Sequence, residues 1–107
     1  MDKSSTVDQF VLSSIKHGEA TNKGDHKEAN KSYKKIHKSA VNLLKEIETF
    51  TLLLRHENPY VRLWSGSYLV RVDNAKDEAV TVLNNLTSEP GLLGFNAKMV
   101  LQESVNK

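Results

Sequence analysis

Asn58-Pro59-Tyr60-Val61-Arg62-Leu63-Trp64 returns thirty-one positions later as Glu89-Pro90-Gly91-Leu92-Leu93-Gly94-Phe95. Pro59 pairs with Pro90, Val61 with Leu92 and Trp64 with Phe95; further on, Tyr68, Leu69 and Val70 pair with Met99, Val100 and Leu101. Proline fits the first position of a helix, where no amide donor is needed, and Asn58 is placed to cap that helix. An echo at this period predicts stacked helix pairs, each burying its apolar face on the next. Such a stack directs the question of function toward binding surfaces.

Upstream of the first copy, a helix is expected to start near Thr6. Ser5 or Thr6 would cap it and Asp8 would sit in its first turn. Val7, Phe10, Val11 and Ile15 recur at helical spacing. Lys23-Gly24-Asp25 then reads as a break, with Gly24 in a left-handed stop and Asp25 capping a second helix. That helix is predicted over 25–47, bent near Ser39. Ala29, Tyr33, Ile36, Ala40, Leu43 and Ile47 make its apolar stripe, and Lys27, Lys31, Lys34, Lys38 and Lys45 fall opposite. A short helix over 48–56 carries Phe50, Leu52, Leu53 and Leu54. Beyond Pro59, the face Val61, Trp64, Ser65, Tyr68 and Val72 leads to a turn in which Asp73 or Asn74 is expected to cap. Ala75, Ala79, Val82, Leu83 and Leu86 form the next face, and a final helix runs to about Val105. There Gly91 and Gly94 either permit close packing or fray the first turn.

No segment alternates as a strand does. The expectation is one all-α domain over 1–107 with about six helices: an N-terminal hairpin over 6–47 and two helix pairs over 48–106. Its expected core is Val11, Ile15, Ile36, Leu43, Leu53, Val61, Trp64, Tyr68, Leu83 and Leu101. With 107 residues the chain supports one modest core. Its net charge of +2 is too mild to imply nucleic acid by itself. The absence of cysteine removes disulfides, thiolate chemistry and cysteine-based zinc sites. The start is a poor signal peptide and no apolar run approaches the ~18 residues of a membrane span, so a cytoplasmic protein that does not engage the membrane is expected.

From Glu48 onward the chain resembles helical-hairpin repeats of the HEAT type. The resemblance rests on Asn58-Pro59-x-Val61-Arg62 with Trp64, Ser65 and Tyr68 behind it; the second copy departs in having Leu93 where Arg62 would be matched. Together with Gly18-Glu19-Ala20, Gly24-Asp25 and Ala29-Asn30, these segments look like a small bacterial HEAT-like family with no established activity. The resemblance spans about Phe10 to Gln102. It implies a right-handed α-superhelix and carries no catalytic residues to this chain. By analogy of class, small helical-repeat proteins of this kind serve as toxin-immunity or adaptor proteins. Over the first half, Gly24-Asp25-x-x-x-Ala29-x-x-x-Tyr33 is also similar to half of a tetratricopeptide repeat, in which small residues let paired helices approach.

The expected function is therefore a non-enzymatic protein-binding module. No phosphate loop, nucleophile turn or histidine pair at metal-ligand spacing occurs, so no catalytic residue, metal or cofactor is expected. Tyr60 and Leu63 lie off the predicted core stripe beside Arg62, and an aromatic, aliphatic and arginine cluster is a common centre of an interface. Arg55 and Arg71 would add charged contacts; Arg62 would otherwise reach back to its own turn at Glu57 or Asn58. The alternative is nucleic-acid binding through Lys27, Lys31, Lys34, Lys35 and Lys38, although Tyr33 is assigned to the core stripe and no aromatic is expected among the lysines.

Overall fold

A computed structural model describes residues 3–105, and among these it is helical throughout, with six α-helices, one 3-10 turn and no strand. The chain divides into two compact units, residues 1–50 and 51–107.

The N-terminal unit is a helical hairpin. Helix α1 spans Lys3–Lys23 and α2 spans His26–Leu43. Because α1 already runs from Lys3, Ser5 and Thr6 lie inside it and are not its caps. Gly18 is buried within the helix. The stop falls at Gly24, whose φ is +73°. There the Asp25 amide donates to the Ala20 carbonyl (2.8 Å) and the Gly24 amide to the Thr21 carbonyl (3.1 Å), the paired bonds of a Schellman cap. Asp25 Oδ1 then accepts the Glu28 amide at 3.1 Å and opens α2. Thus Gly24 ends one helix and Asp25 starts the next with no intervening loop.

The seam between these helices is built of small residues. Buried positions on α1 are Thr6, Phe10, Ser13, Ser14, Gly18 and Ala20, and on α2 they are Ser32, Ile36, Ser39, Ala40 and Leu43. In α2 the steps 32, 36, 39, 43 alternate four and three, keeping one narrow line toward the partner helix. Serine, alanine and glycine at such positions allow the backbones to approach closely. Ser39 satisfies its hydroxyl on the Lys35 carbonyl (2.8 Å), and the helix continues through the expected bend. At the end of the unit, Phe10 and Phe50 meet edge to face with centroids 5.2 Å apart.

Three expectations are corrected in this unit. Val11 and Ile15 are half-buried, because the buried line of α1 runs through Ser13 and Ser14. Tyr33 is 47% exposed, because that of α2 runs through Ser32 and Ser39 instead of Ala29 and Tyr33. Helix α2 also stops at Leu43, short of 47; the Glu46 amide closes a turn on the Leu43 carbonyl and α3 (Ile47–Leu52) comes next.

The last two residues of α3 belong to the C-terminal unit and tighten into a 3-10 turn, Leu53–Arg55, before α4 (Pro59–Leu69), α5 (Lys76–Leu86) and α6 (Gly91–Val105). The start of α4 is as predicted: Asn58 Oδ1 accepts the Tyr60 amide at 2.9 Å and Pro59 takes the first helical position. Helix α4 packs against the 3-10 turn, α5 and α6. It is therefore buried around more than half its circumference, at Val61, Leu63, Ser65, Gly66 and Leu69. The predicted one-sided stripe is displaced, and Trp64 and Tyr68 lie half-buried at its margin. Neither Asp73 nor Asn74 caps α5; Ala75 holds that position without a side-chain bond, while Asp77 and Glu78 place negative charge in the first turn. Ala79, Leu83 and Leu86 of α5 are buried, whereas Leu101 of α6 is half-buried.

Two glycines set the spacing of this unit. A Cβ on Gly66 would lie 3.0 Å from the Leu83 side chain, so α4 and α5 touch there. A Cβ on Gly94 would run into the Glu89 carbonyl oxygen and come within 3.0 Å of that of Thr87. None of the pairs in the sequence echo keeps its burial: Trp64 and Tyr68 are half-buried against exposed Phe95 and Met99, and Leu69 and Val70 are buried against half-buried Val100 and Leu101. Val61 is fully buried and its counterpart Leu92 is 47% exposed.

Gly94→Ala is expected to destabilise the unit by more than about 2 kcal/mol, since rigid backbone must move to admit the methyl group. Gly66→Ala should cost less, because the Leu83 side chain can yield and alanine gains about 1 kcal/mol of helix propensity. Urea midpoints of the two variants give the order directly.

Candidate functional site

The five residues expected to form a protein-binding anchor are largely engaged in holding the fold. Leu63 is only 6% exposed, which corrects its assignment to the surface: α4 is packed on more than one side, so a position off the predicted stripe still faces a neighbour. Arg62 turns back on its own turn, its guanidinium donating to the carbonyls of His56 (2.9 Å) and Glu57 (3.2 Å). Of its two expected roles this is the internal one, and Glu57 contributes its carbonyl, not its carboxylate. Tyr60 is half-buried. Arg55 makes a two-pronged pair with Glu78 at 3.0 and 3.2 Å, and this hydrogen bond raises its pKa above the ordinary value. Arg71 approaches Glu103 at 3.9 Å, tying the end of α4 toward α6. The cluster thus fastens the 3-10 turn to α5 and closes the entry to α4.

A different surface is open. On α6, Leu92, Phe95 and Met99 are 47%, 57% and 40% exposed. Their steps of three and four align them on one side of the helix, a row about 10 Å long at a rise of ~1.5 Å per residue. Leu93, Gly94 and Ala97 face the opposite way and are buried. The sequence echo hides this row, because it pairs Leu92, Phe95 and Met99 with Val61, Trp64 and Tyr68 and carries a core role over to them. The available signal was the density of apolar residues in α6: Leu92, Leu93, Phe95, Ala97, Met99, Val100 and Leu101 are more than one buried face requires.

The basic face of α2 is present as predicted. Lys27, Lys31, Lys34, Lys35 and Lys38 are all exposed, and none forms an ion pair among the described residues. Beside them lies an aromatic pair absent from the sequence-based expectation: Tyr33 and His37, one helical turn apart, stack with centroids 6.3 Å apart and planes at 23°. On the other flank an open surface groove of about 490 Å³ runs along the α1–α2 seam, with buried Ser13 and Ser32 among Lys16, Glu28 and Lys35.

The histidines have separate surroundings. His26 and His37 are exposed, and His56 Nδ1 accepts the Asn58 amide at 3.0 Å. Among the described residues no three His, Cys, Asp or Glu side chains gather as a metal site would require. No helix among them is long and apolar enough to cross a membrane. The chain matches no family model, and no curated protein and no solved structure is significantly similar to it.

Arg62→Ala is expected to lower unfolding stability by about 1–2 kcal/mol through loss of two charge-assisted bonds to carbonyls, with Arg62→Lys recovering only part. Denaturant titration of the two variants checks it. Partial burial sets the behaviour of His17, holding its pKa below the ordinary 6.5. The unfolded chain therefore takes up this proton at a higher pH than the folded chain. Stability should be level well above pH 6.5 and fall as the pH drops through 6.5 toward the lower folded value, with no further loss below it. His17→Gln should remove this part of the slope in urea midpoints measured across that window.

Proposed function

We propose that the chain is a non-enzymatic protein-binding module and that its contact surface is the row Leu92, Phe95 and Met99 on α6. The exposed row itself carries this reading. Three large apolar side chains aligned on one exposed face are more than scattered surface residues, and burying the exposed half of each would contribute on the order of 1 kcal/mol apiece. Phe95 stands at the centre of the row, where an aromatic anchor contributes most. The flank nearest the end of the helix carries Glu103, already directed at Arg71, as a charged rim.

The same reading extends to architecture. The packing of α4 on both α5 and α6, with Gly66 against Leu83, supports helix pairs of the HEAT type. In a right-handed superhelix of such pairs, the mechanism of action is occlusion of a partner's surface, as an immunity or adaptor protein requires. A cytoplasmic setting accords with this role.

Photo-crosslinking in the native host tests the surface. With a benzophenone amino acid at position 95, discrete protein adducts are expected, and these should disappear on adding Leu92→Glu while the circular dichroism of the variant is unchanged. The same probe at Lys76, exposed at the start of α5, should give none. Equal adduct patterns from positions 95 and 76, or adducts at 95 that survive Leu92→Glu, would overturn the assignment.

A further inference from the structure

We propose that the outer face of α2 binds single-stranded nucleic acid, with Lys27, Lys31, Lys34 and Lys38 holding successive phosphates and the Tyr33–His37 ring pair receiving a base. The surface belongs to the N-terminal unit and does not rest on the α6 row.

The first observation is uncompensated charge. Between residues 26 and 45 the chain carries six lysines (27, 31, 34, 35, 38 and 45) and a single carboxylate, Glu28. Next to this stretch, Asp25 is occupied as the cap of α2. The spacing 27, 31, 34, 38 keeps four ammonium groups in one row about 16 Å long at ~1.5 Å rise per residue. Neighbours three and four apart on a helix repel when they carry like charge, and Lys27/Lys31, Lys31/Lys34, Lys31/Lys35, Lys34/Lys38 and Lys35/Lys38 are five such pairs. A face that only needed solvation would stabilise the helix by interleaving acids. Here the self-repulsion is left in place, and a polyanion laid along the row would relieve it.

The second observation is independent of charge. Tyr33 is 47% exposed on a helix whose buried line is made of Ser32, Ile36, Ser39 and Leu43. Its ring lies alongside that of His37, which is also exposed, on the flank of the lysine row. Flat rings next to a row of cations supply both elements of single-strand recognition, a track for the backbone and a platform for stacking. An acidic protein segment would use the lysines but gain little from the ring pair. An anionic lipid surface would call for an apolar face continuous with the row, and Val41, at 44% exposure, is the lone large aliphatic side chain exposed on α2. The chemistry thus favours phosphates spaced along a strand with bases attached.

Fluorescence anisotropy with a mixed-sequence oligonucleotide of about 20 nucleotides tests this, at salt from about 20 to 200 mM. Four phosphates engaged on a single strand give a slope of log K against log salt near about −3. Lys31→Ala combined with Lys34→Ala should weaken binding and bring the slope to about −1.5. Tyr33→Ala should weaken oligonucleotide binding about tenfold with the slope unchanged, and leave inorganic polyphosphate binding as it was. Tyr33→Phe should retain binding, and circular dichroism should show all these surface variants as helical as the parent chain. No detectable binding at the lowest salt would overturn the proposal. So would equal oligonucleotide affinity for the parent and Tyr33→Ala, or stronger binding to polyglutamate or phosphatidylserine vesicles than to the oligonucleotide.

Discussion

The C-terminal unit depends on how α4 begins. A helix start leaves amide groups without partners, and here the preceding turn is closed from both directions. Asn58 accepts the Tyr60 amide, His56 accepts that of Asn58, and the Arg62 guanidinium returns to the carbonyls of His56 and Glu57. That closure holds the direction in which α4 leaves the 3-10 turn. With the direction fixed, Gly66 can meet Leu83, Arg55 can reach Glu78, and α6 can pack beside both helices. A side chain that looks like a recognition group in the sequence is in this way part of the frame.

The helices, and the turns at Gly24 and Asn58, were legible in the sequence because their signals are local, whereas the caps expected at Ser5 or Thr6 and at Asp73 or Asn74 did not form. Gly24-Asp25 and Asn58-Pro59 carry their own physics: a left-handed stop, a side-chain acceptor, an imino residue at a position needing no donor. Faces were less legible, since a face is defined by neighbours. Counting large apolar residues places Tyr33, Val11 and Ile15 inward, whereas the hairpin closes on serines, of which Ser39 returns its hydroxyl to the Lys35 carbonyl. Leu63 is misplaced for the complementary reason. A helix contacted on several sides has no free flank, and periodicity along one helix cannot report how many partners surround it. The lysine row is visible at once, while the ring pair beside it emerges only when the seam proves to run elsewhere.

The two units differ in chemical character. Residues 1–50 hold nine lysines against seven carboxylates, with six of the lysines between positions 26 and 45; residues 51–107 hold six cations against six carboxylates. The C-terminal unit uses its arginines internally and presents apolar surface on α6. The N-terminal unit leaves the lysines of α2 unpaired among the described residues and presents them to solvent. Charge on one unit and hydrophobic area on the other act differently, the first at a distance and screened by salt, the second at contact.

The contact between Gly94 and the Glu89 carbonyl has a consequence beyond stability. It presses the first turn of α6 onto the turn before it, and Leu92 and Phe95 project from that same stretch of backbone. Association is opposed by the freedom that the binding surface must surrender. A row carried on a helix seated in this way has already given up its backbone freedom during folding. Of the internal freedoms, side-chain rotation is what such a row still has to lose on contact, beside the translation and rotation of the chain as a whole.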